Sequence, residues 1–261
     1  MTEPPRAVVS SAVKVLRALE IVCASEDVVS LERLASELSV SKPTAFRIMS
    51  TLIETGFVRP AGFRTGFVAT LKIAELGTRR MSMLNLPEVA RPVFRPVAMR
   101  FGETVTIAQT DGHEIFIVDK ITAGASLVFY CDVGRRLPLH IGASARAVLA
   151  QLSDEQFESY VAGDLRPRTA KSHVSAVALR KLRRKALADG YVLSIDEVDI
   201  GVSAVAVPIV DATGSVLGAA SIANTTRSWT ERDHRVRAEA MQAAATKLVA
   251  VLTNGTKRRG A

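Results

Sequence analysis

The chain has 261 residues, 48% of them hydrophobic, with a formal net charge of +8. That is enough for one large or two ordinary folded domains, and it excludes a disordered or low-complexity chain. Two cysteines far apart, Cys23 and Cys131, give neither a disulfide framework nor a zinc spacing, and both are expected to be buried free thiols. No apolar run is long enough to cross a bilayer and no signal-peptide pattern is present, so a cytoplasmic protein without membrane contact is expected.

Residues 1–9 read as a loose arm. A helix capped by Ser10 or Ser11 then runs to about Ser25, with Ala12, Leu16, Leu19 and Cys23 as its apolar stripe, widened on one side by Val15 and Val22. Leu31, Leu34, Ala35 and Leu38 mark a second helix, and Ser39-Val40 breaks it. A third helix starts at Ser41-Lys42-Pro43-Thr44, carries Ala45, Ile48, Met49, Leu52 and Ile53 inward, and ends at Gly56. Two short helices joined by a tight turn read as a helix-turn-helix.

No acidic residue lies between Glu37 and Glu54, and Thr44, Arg47 and Thr51 share one face of the third helix. Hydroxyl and guanidinium groups on such a face suit phosphate oxygens and base edges. Residues 1–80 carry eleven basic and eight acidic residues, so DNA binding rests on that local face rather than on total charge. Phe57-Val58-Arg59 and Phe67-Val68 flank the turn Pro60-Ala61-Gly62 and form the hairpin of a winged helix, with Arg59 and Arg64 on or near it.

A helical segment over 70–85 leads to a boundary near 78–86, and Leu86-Pro87 opens a helix to about Phe101. Thr104–Gln109, Glu114–Ile121 and Ser126–Asp132 read as strands. Ala143–Leu152, Asp154–Ala162 and Ser175–Ala188 read as helices, the last ending at Gly190. Its cluster Arg180-Lys181 and Arg183-Arg184-Lys185 reads as a solvated face. Val202–Val210 and Val216–Ala223 are apolar strands, and Thr230 with Asp233 opens a last helix to about Leu252. Lys257-Arg258-Arg259 is expected to be a disordered tail. This order indicates an α+β domain with an antiparallel sheet.

The chain resembles the IclR family of bacterial transcriptional regulators along nearly its whole length. The head SLERLASELSVSKPTAFRIMSTLIETGFV is similar to that family's winged helix-turn-helix. Gly134-Arg135-Arg136-Leu137-Pro138-Leu139-His140 with Ala143–Leu149, then Gly190-Tyr191, then Gly201 through Pro208, then Asp211 and Gly214, resemble its effector-domain signature. The resemblance implies a winged-helix head (1–78), a helical linker (79–86) and a GAF-like effector-binding domain (87–254), with 255–261 as a basic tail. It implies operator double-stranded DNA, a small organic acid and a homodimer or homotetramer as partners, and repression is read as the regulatory sense.

Carried over by that resemblance, Ser41, Lys42, Thr44, Phe46, Arg47 and Thr51 would face DNA, with Arg59 and Arg64 on the wing. Phe129, Leu137, Ala143, Ser144, Ser194, Val202, Ala204 and Ser221 would surround the effector, and the N-terminus of the helix at Ala143 would hold a carboxylate. The family often has Gly-Lys at Ala145-Arg146, a carboxylate near Ser194 and a larger residue near Ala204. The smaller, neutral residues favour an aromatic acid. Pro43 and Phe46 replace a common serine and histidine, and Phe46 reads either as a base or sugar contact or as a half-buried brace. No cofactor, metal site or catalytic residue is expected. The competing readings are a small-molecule enzyme, for which Cys131 with His140 or Asp196-Glu197 with His173 would serve, and an interaction module without a ligand.

Overall fold

The computed structural model describes residues 8–62, 65–82, 86–123, 132–211 and 213–259, with the side chains of 78, 80–82 and 253–259 left aside. It divides into two compact units, Met1–Met83 and Leu84–Ala261.

The first unit contains α1 (Ser10–Ala24), α2 (Leu31–Glu37), α3 (Lys42–Glu54), β1 (Val58–Pro60), β2 (Phe67–Ala69) and α4 (Lys72–Ser82). Its core gathers Ala18, Val22, Val29, Leu34, Ala45, Ile48, Met49, Leu52 and Val58. Leu34 and Ala35 on α2 and Ala45, Ile48, Met49 and Leu52 on α3 face inward as periodicity expects, whereas Ile53, expected inward, is exposed at the end of α3. On α1 the expectation holds in part: Val22 is buried and Val15 and Leu19 pack on the core, but Ala18 is also buried there, while Ala12, Leu16 and Cys23 are exposed. This helix has apolar residues on two faces, and α3 covers only one. Cys23 is therefore an exposed thiol rather than a buried one. Val9, not a serine, sits at the N-cap of α1, without a side-chain cap.

The α2–α3 turn places Ser39 at φ 52, a left-handed conformation unusual for a side chain larger than glycine. Gly66 (φ 146) lets the β-hairpin approach α2: a Cβ there would lie 2.5 Å from Val28 Cγ1 and 2.7 Å from the Val29 carbonyl oxygen. The paired hydrogen bonds between Val29 and Phe67 seal that contact.

The second unit is built on one six-stranded sheet of β3 (Thr104–Asp111), β4 (Glu114–Ile121), β5 (Arg136–Pro138), β6 (Val192–Ile195), β7 (Val202–Val210) and β8 (Val216–Thr225). The spatial order is β5-β4-β3-β8-β7-β6, antiparallel throughout. The helices are α5 (Leu86–Phe101), α6 (Ala143–Gln151), α7 (Asp154–Val161), α8 (Ala176–Asp189) and α9 (Glu231–Arg259). Both α6 and α9 pack on β7, which explains its nearly continuous apolar run. Ala108, Ala206 and Ala219 meet α6, with α7 and α8 outside it.

Three sequence expectations change. The short edge strands β5 and β6 were not anticipated, because three or four residues carry too little alternation. The α9 helix continues through Lys257-Arg258-Arg259, so these are helical rather than a loose tail. The expected strand Ser126–Asp132 falls outside the described residues except for Asp132, which lies in no strand.

Candidate DNA-binding and effector-binding sites

Ser41 caps α3: its Oγ accepts from the Thr44 amide at 3.4 Å and lies 3.0 Å from Thr44 Oγ1. Pro43 sits in the first turn, where no N–H is needed. Lys42, Thr44, Phe46, Arg47 and Thr51 are all exposed. The Phe46 ring is 57% exposed, so it is not a brace within this unit. Among the described residues Arg47 makes no ion pair, and its guanidinium is available. Thr51 Oγ1 donates to the Arg47 carbonyl at 3.0 Å, which leaves it lone pairs only. It can accept from a base amino group but cannot donate to phosphate.

Lys42 Nζ donates to Glu32 Oε1 on α2 at 3.0 Å, which holds the Glu32 carboxyl below its usual pKa. The acid-free interval in sequence is thus not acid-free in space. Arg59 is exposed on the wing and donates to the Pro60 carbonyl at 3.4 Å. Arg64 lies outside the described residues.

In the second unit, strand register assembles a row of small and polar side chains on the α6 face. Lys120, Thr106, Ser221 and Ala206 stand opposite one another across β4, β3, β8 and β7. One step along, Thr104, Ala223, Ala204 and Ser194 do the same across β3, β8, β7 and β6. Directly opposed residues share a face, as do residues two apart on a strand. Thr106 Oγ1 and Ser221 Oγ are 2.8 Å apart and buried. Thr104 Oγ1 is buried with no hydrogen-bond partner among the described residues. Lys120, mostly buried, donates from Nζ to Asp132 Oδ1 at 3.2 Å.

The N-terminus of α6 is buried and has no side-chain cap. Gly142, at φ 84, is required there because a Cβ would collide with Val198 Cγ2. Ala143, Ser144 and the first amides of α6 are therefore held beneath the 196–201 segment, with donors unspent on a cap. Anions are favoured at such a terminus.

Of the expected effector residues, register joins Ser194, Val202, Ala204 and Ser221, while Ala143 and Ser144 lie on the helix that packs on β6, β7 and β8. Leu137 is not in that group. It pairs with Ile115, which pairs with Thr110, so it belongs to the far end of β3 and to the apolar core. Phe129 and Cys131 lie outside the described residues. Thr104, Thr106 and Lys120, which sequence reasoning did not name, are brought to the face of Ser221 by strand register alone.

The acid–histidine set is engaged otherwise. Glu197 is buried and ion-paired to Arg146, and His173 Nε2 lies 3.8 Å from Glu197 Oε1. His140 is buried, with Nδ1 2.7 Å from Tyr160 Oη and Nε2 3.0 Å from the Arg166 carbonyl oxygen. Both ring nitrogens are thus used structurally. Among the described residues no helix is long and apolar enough to cross a membrane, and no cluster of three or more potential metal ligands is present.

Comparison with known proteins agrees with this architecture. The family model for the IclR helix-turn-helix domain matches residues 11–62, and that for the bacterial transcriptional regulator IclR C-terminal domain matches residues 78–250. The HTH-type transcriptional regulator KdgR of Escherichia coli K12 is 27% identical over 243 residues, covering 93% of this chain and 92% of its own length. The acetate operon repressor of Salmonella typhimurium is 27% identical over 259 residues, covering 98% and 94%. The crystal structure of Thermotoga maritima IclR superposes with a TM-score of 0.77 at 25% identity, over 93% of this chain and 98% of that one. An IclR homolog from Microbacterium hydrocarbonoxydans, crystallised with 4-hydroxybenzoate, has the same fold at a TM-score of 0.77 and 23% identity, over 93% and 99%. With a helix-turn-helix unit, an antiparallel sheet unit and both family models in sequence order, the chain belongs to the IclR family of bacterial transcriptional regulators.

Proposed function

We propose that this regulator is a repressor in which an organic acid bound in the sheet unit sets the affinity of the helix-turn-helix unit for operator DNA. It works in the cytoplasm, with residues 1–78 as head, 79–86 as linker and 87–254 as sensor. Ser41, Lys42, Thr44, Phe46, Arg47 and Thr51 face the duplex, with the wing arginines Arg59 and Arg64 on phosphate. Homodimerisation through the heads is supported by Leu16 of α1 and by Val8 and Val9 just before it, each more than 60% exposed. A two-fold pair of heads suits a palindromic operator; pairing into tetramers belongs to the same proposal.

The observation that carries the sensor reading is the unpartnered, buried Thr104 hydroxyl on the same sheet face as Ser221, Ala204 and Ser194. Buried hydroxyls are normally paired, so this one fits a ligand oxygen. The uncapped α6 terminus and the Lys120 ammonium supply the field for a carboxylate, and the small side chains Ala204 and Ala223 leave width for a ring. An aromatic acid fits best, and the 4-hydroxybenzoate held by the Microbacterium relative is a ligand of that class.

The test is a gel-shift titration of the gene's own upstream region with and without benzoate and 4-hydroxybenzoate. Salt-sensitive retardation that an acid alters, and that Thr104→Val desensitises, is the expected result. Retardation indifferent to every acid of the panel would leave a DNA-binding protein without the proposed sensor.

A further inference from the structure

The β6 strand is the last in the sheet. Beyond it, α8, β6 and the first turns of α9 enclose a cleft of about 420 Å³, to which the Thr104 and Thr106 rows contribute nothing. A volume of that size is in the range of small-ligand pockets. Leu182 and Val192 give it apolar walls, and Tyr191 and His234 give it flat ones.

Its polar groups are unevenly satisfied. Lys185 Nζ is tied to Asp189 Oδ2 at 2.6 Å, so that pair cancels. Arg146 is buried; its Nη2 serves the Leu193 carbonyl and Glu197, but its Nε has no partner among the described residues. His234 Nε2 is likewise buried without a partner, and burial lowers the pKa of this ring, leaving it neutral at pH 7. Arg235 lines the cleft, is exposed, and has no ion pair among the described residues. The lone acid on the wall outside these pairs is Glu231, at the start of α9.

We propose that this cleft is a second small-molecule site, separate from the sensor face, which takes an organic monocarboxylate with a flat apolar body. The Arg235 guanidinium draws the carboxylate, since Arg146 is already neutralised by Glu197, and the body lies against Tyr191, Leu182 and His234. Among the described residues, Arg146 and His234 of the cleft wall each carry a buried polar atom without a partner, where buried donors and acceptors are normally paired. Glu231 disfavours a dianion such as phosphate, and the apolar walls give a bare ion nothing to cover.

The chain has a single tryptophan, Trp229, whose ring meets that of His234 edge-on at 5.5 Å. Its emission responds to the cleft through His234 and to the Thr104 side through the Glu103 carboxylate that its Nε1 donates to, so the Arg235 variants separate the two. The full-length protein is titrated with benzoate while tryptophan emission is followed, alongside Arg235→Gln and Arg235→Lys. The expected result is a saturable change in the wild type, weakened about tenfold in Arg235→Gln and largely recovered in Arg235→Lys, the size of one charged contact. Because Arg235 is exposed, both variants should fold, and circular dichroism checks this. No change in emission, or equal affinity in wild type and Arg235→Gln, overturns the site. The same change with inorganic phosphate at equal concentration overturns the choice of an organic acid.

Discussion

Lys42 on the recognition helix is held by Glu32 of the preceding helix, Nζ to Oε1 at 3.0 Å. Both side chains are more than 60% exposed, so the pair adds little to stability. What it does is keep one cation away from phosphate until DNA competes for it. Glu32→Gln should therefore tighten operator binding severalfold and steepen the salt dependence by about one ion, in a filter or gel-shift series over salt. Unchanged affinity and slope would show that Lys42 does not reach phosphate.

Among the described residues the Arg47 side chain has no ion pair to lose. Arg47→Ala should cost roughly 1–3 kcal/mol of operator affinity and relax preference at one base step, leaving thermal stability unchanged. Thr51→Val should be milder, since the Thr51 hydroxyl proton already serves its own helix.

Ser221 and Thr106 satisfy each other, whereas Thr104 satisfies nothing among the described residues. Ser221→Ala should destabilise the sheet unit by about 1–3 kcal/mol by orphaning Thr106. Thr104→Val should be neutral or slightly stabilising in the absence of ligand, yet blunt the response to an acid. Denaturant melts paired with operator titrations separate the two effects.

Arg146 and Glu197 form a buried ion pair in which Nε and Oε2 have no partner among the described residues. Removing one partner, as in Glu197→Leu, should cost about 3–5 kcal/mol because the remaining charge is stranded. Adding Arg146→Met should recover most of it, which urea melts of the two variants would show. A double variant no more stable than the single one would contradict this account.

Asp233 accepts from the Thr230 hydroxyl and amide at the start of α9, which lowers its pKa from 3.8 to about 2. A depressed carboxyl stabilises the fold above its unfolded pKa and loses that contribution as pH falls through the folded one. The gap in urea midpoint between wild type and Asp233→Asn should thus be full at neutral pH, shrink below pH 3.8 and nearly close at pH 2.

Much of this architecture was legible in the sequence because it depends on local rules. Helical spacing gave α2 and α3 with most of their inward residues, and the Thr230/Asp233 pair and Gly190 marked a helix start and a helix end. Partners set by non-local geometry were not legible. Glu32 meets Lys42 across a turn, so helical periodicity misses it. Thr104, Thr106 and Lys120 join Ser221 only once strand register is known, and Leu137 leaves the group for the same reason. The stripe on α1 was misjudged in part because two apolar faces compete and sequence does not say which one is covered within the chain.

Glu103 and Thr104 are consecutive. The carboxylate of Glu103 is buried and accepts from Asn224 Nδ2, Trp229 Nε1 and both Arg237 Nε and Nη2, at 2.6–2.8 Å. Neighbouring residues of a strand project to opposite sides, so one peptide unit separates the sensor face from the clasp that fastens α9 and ends α5. The sheet is then no thicker than a drumskin at this point. A ligand pressing on Thr104 would reach the Glu103 clasp through one peptide unit, across the sheet rather than along it.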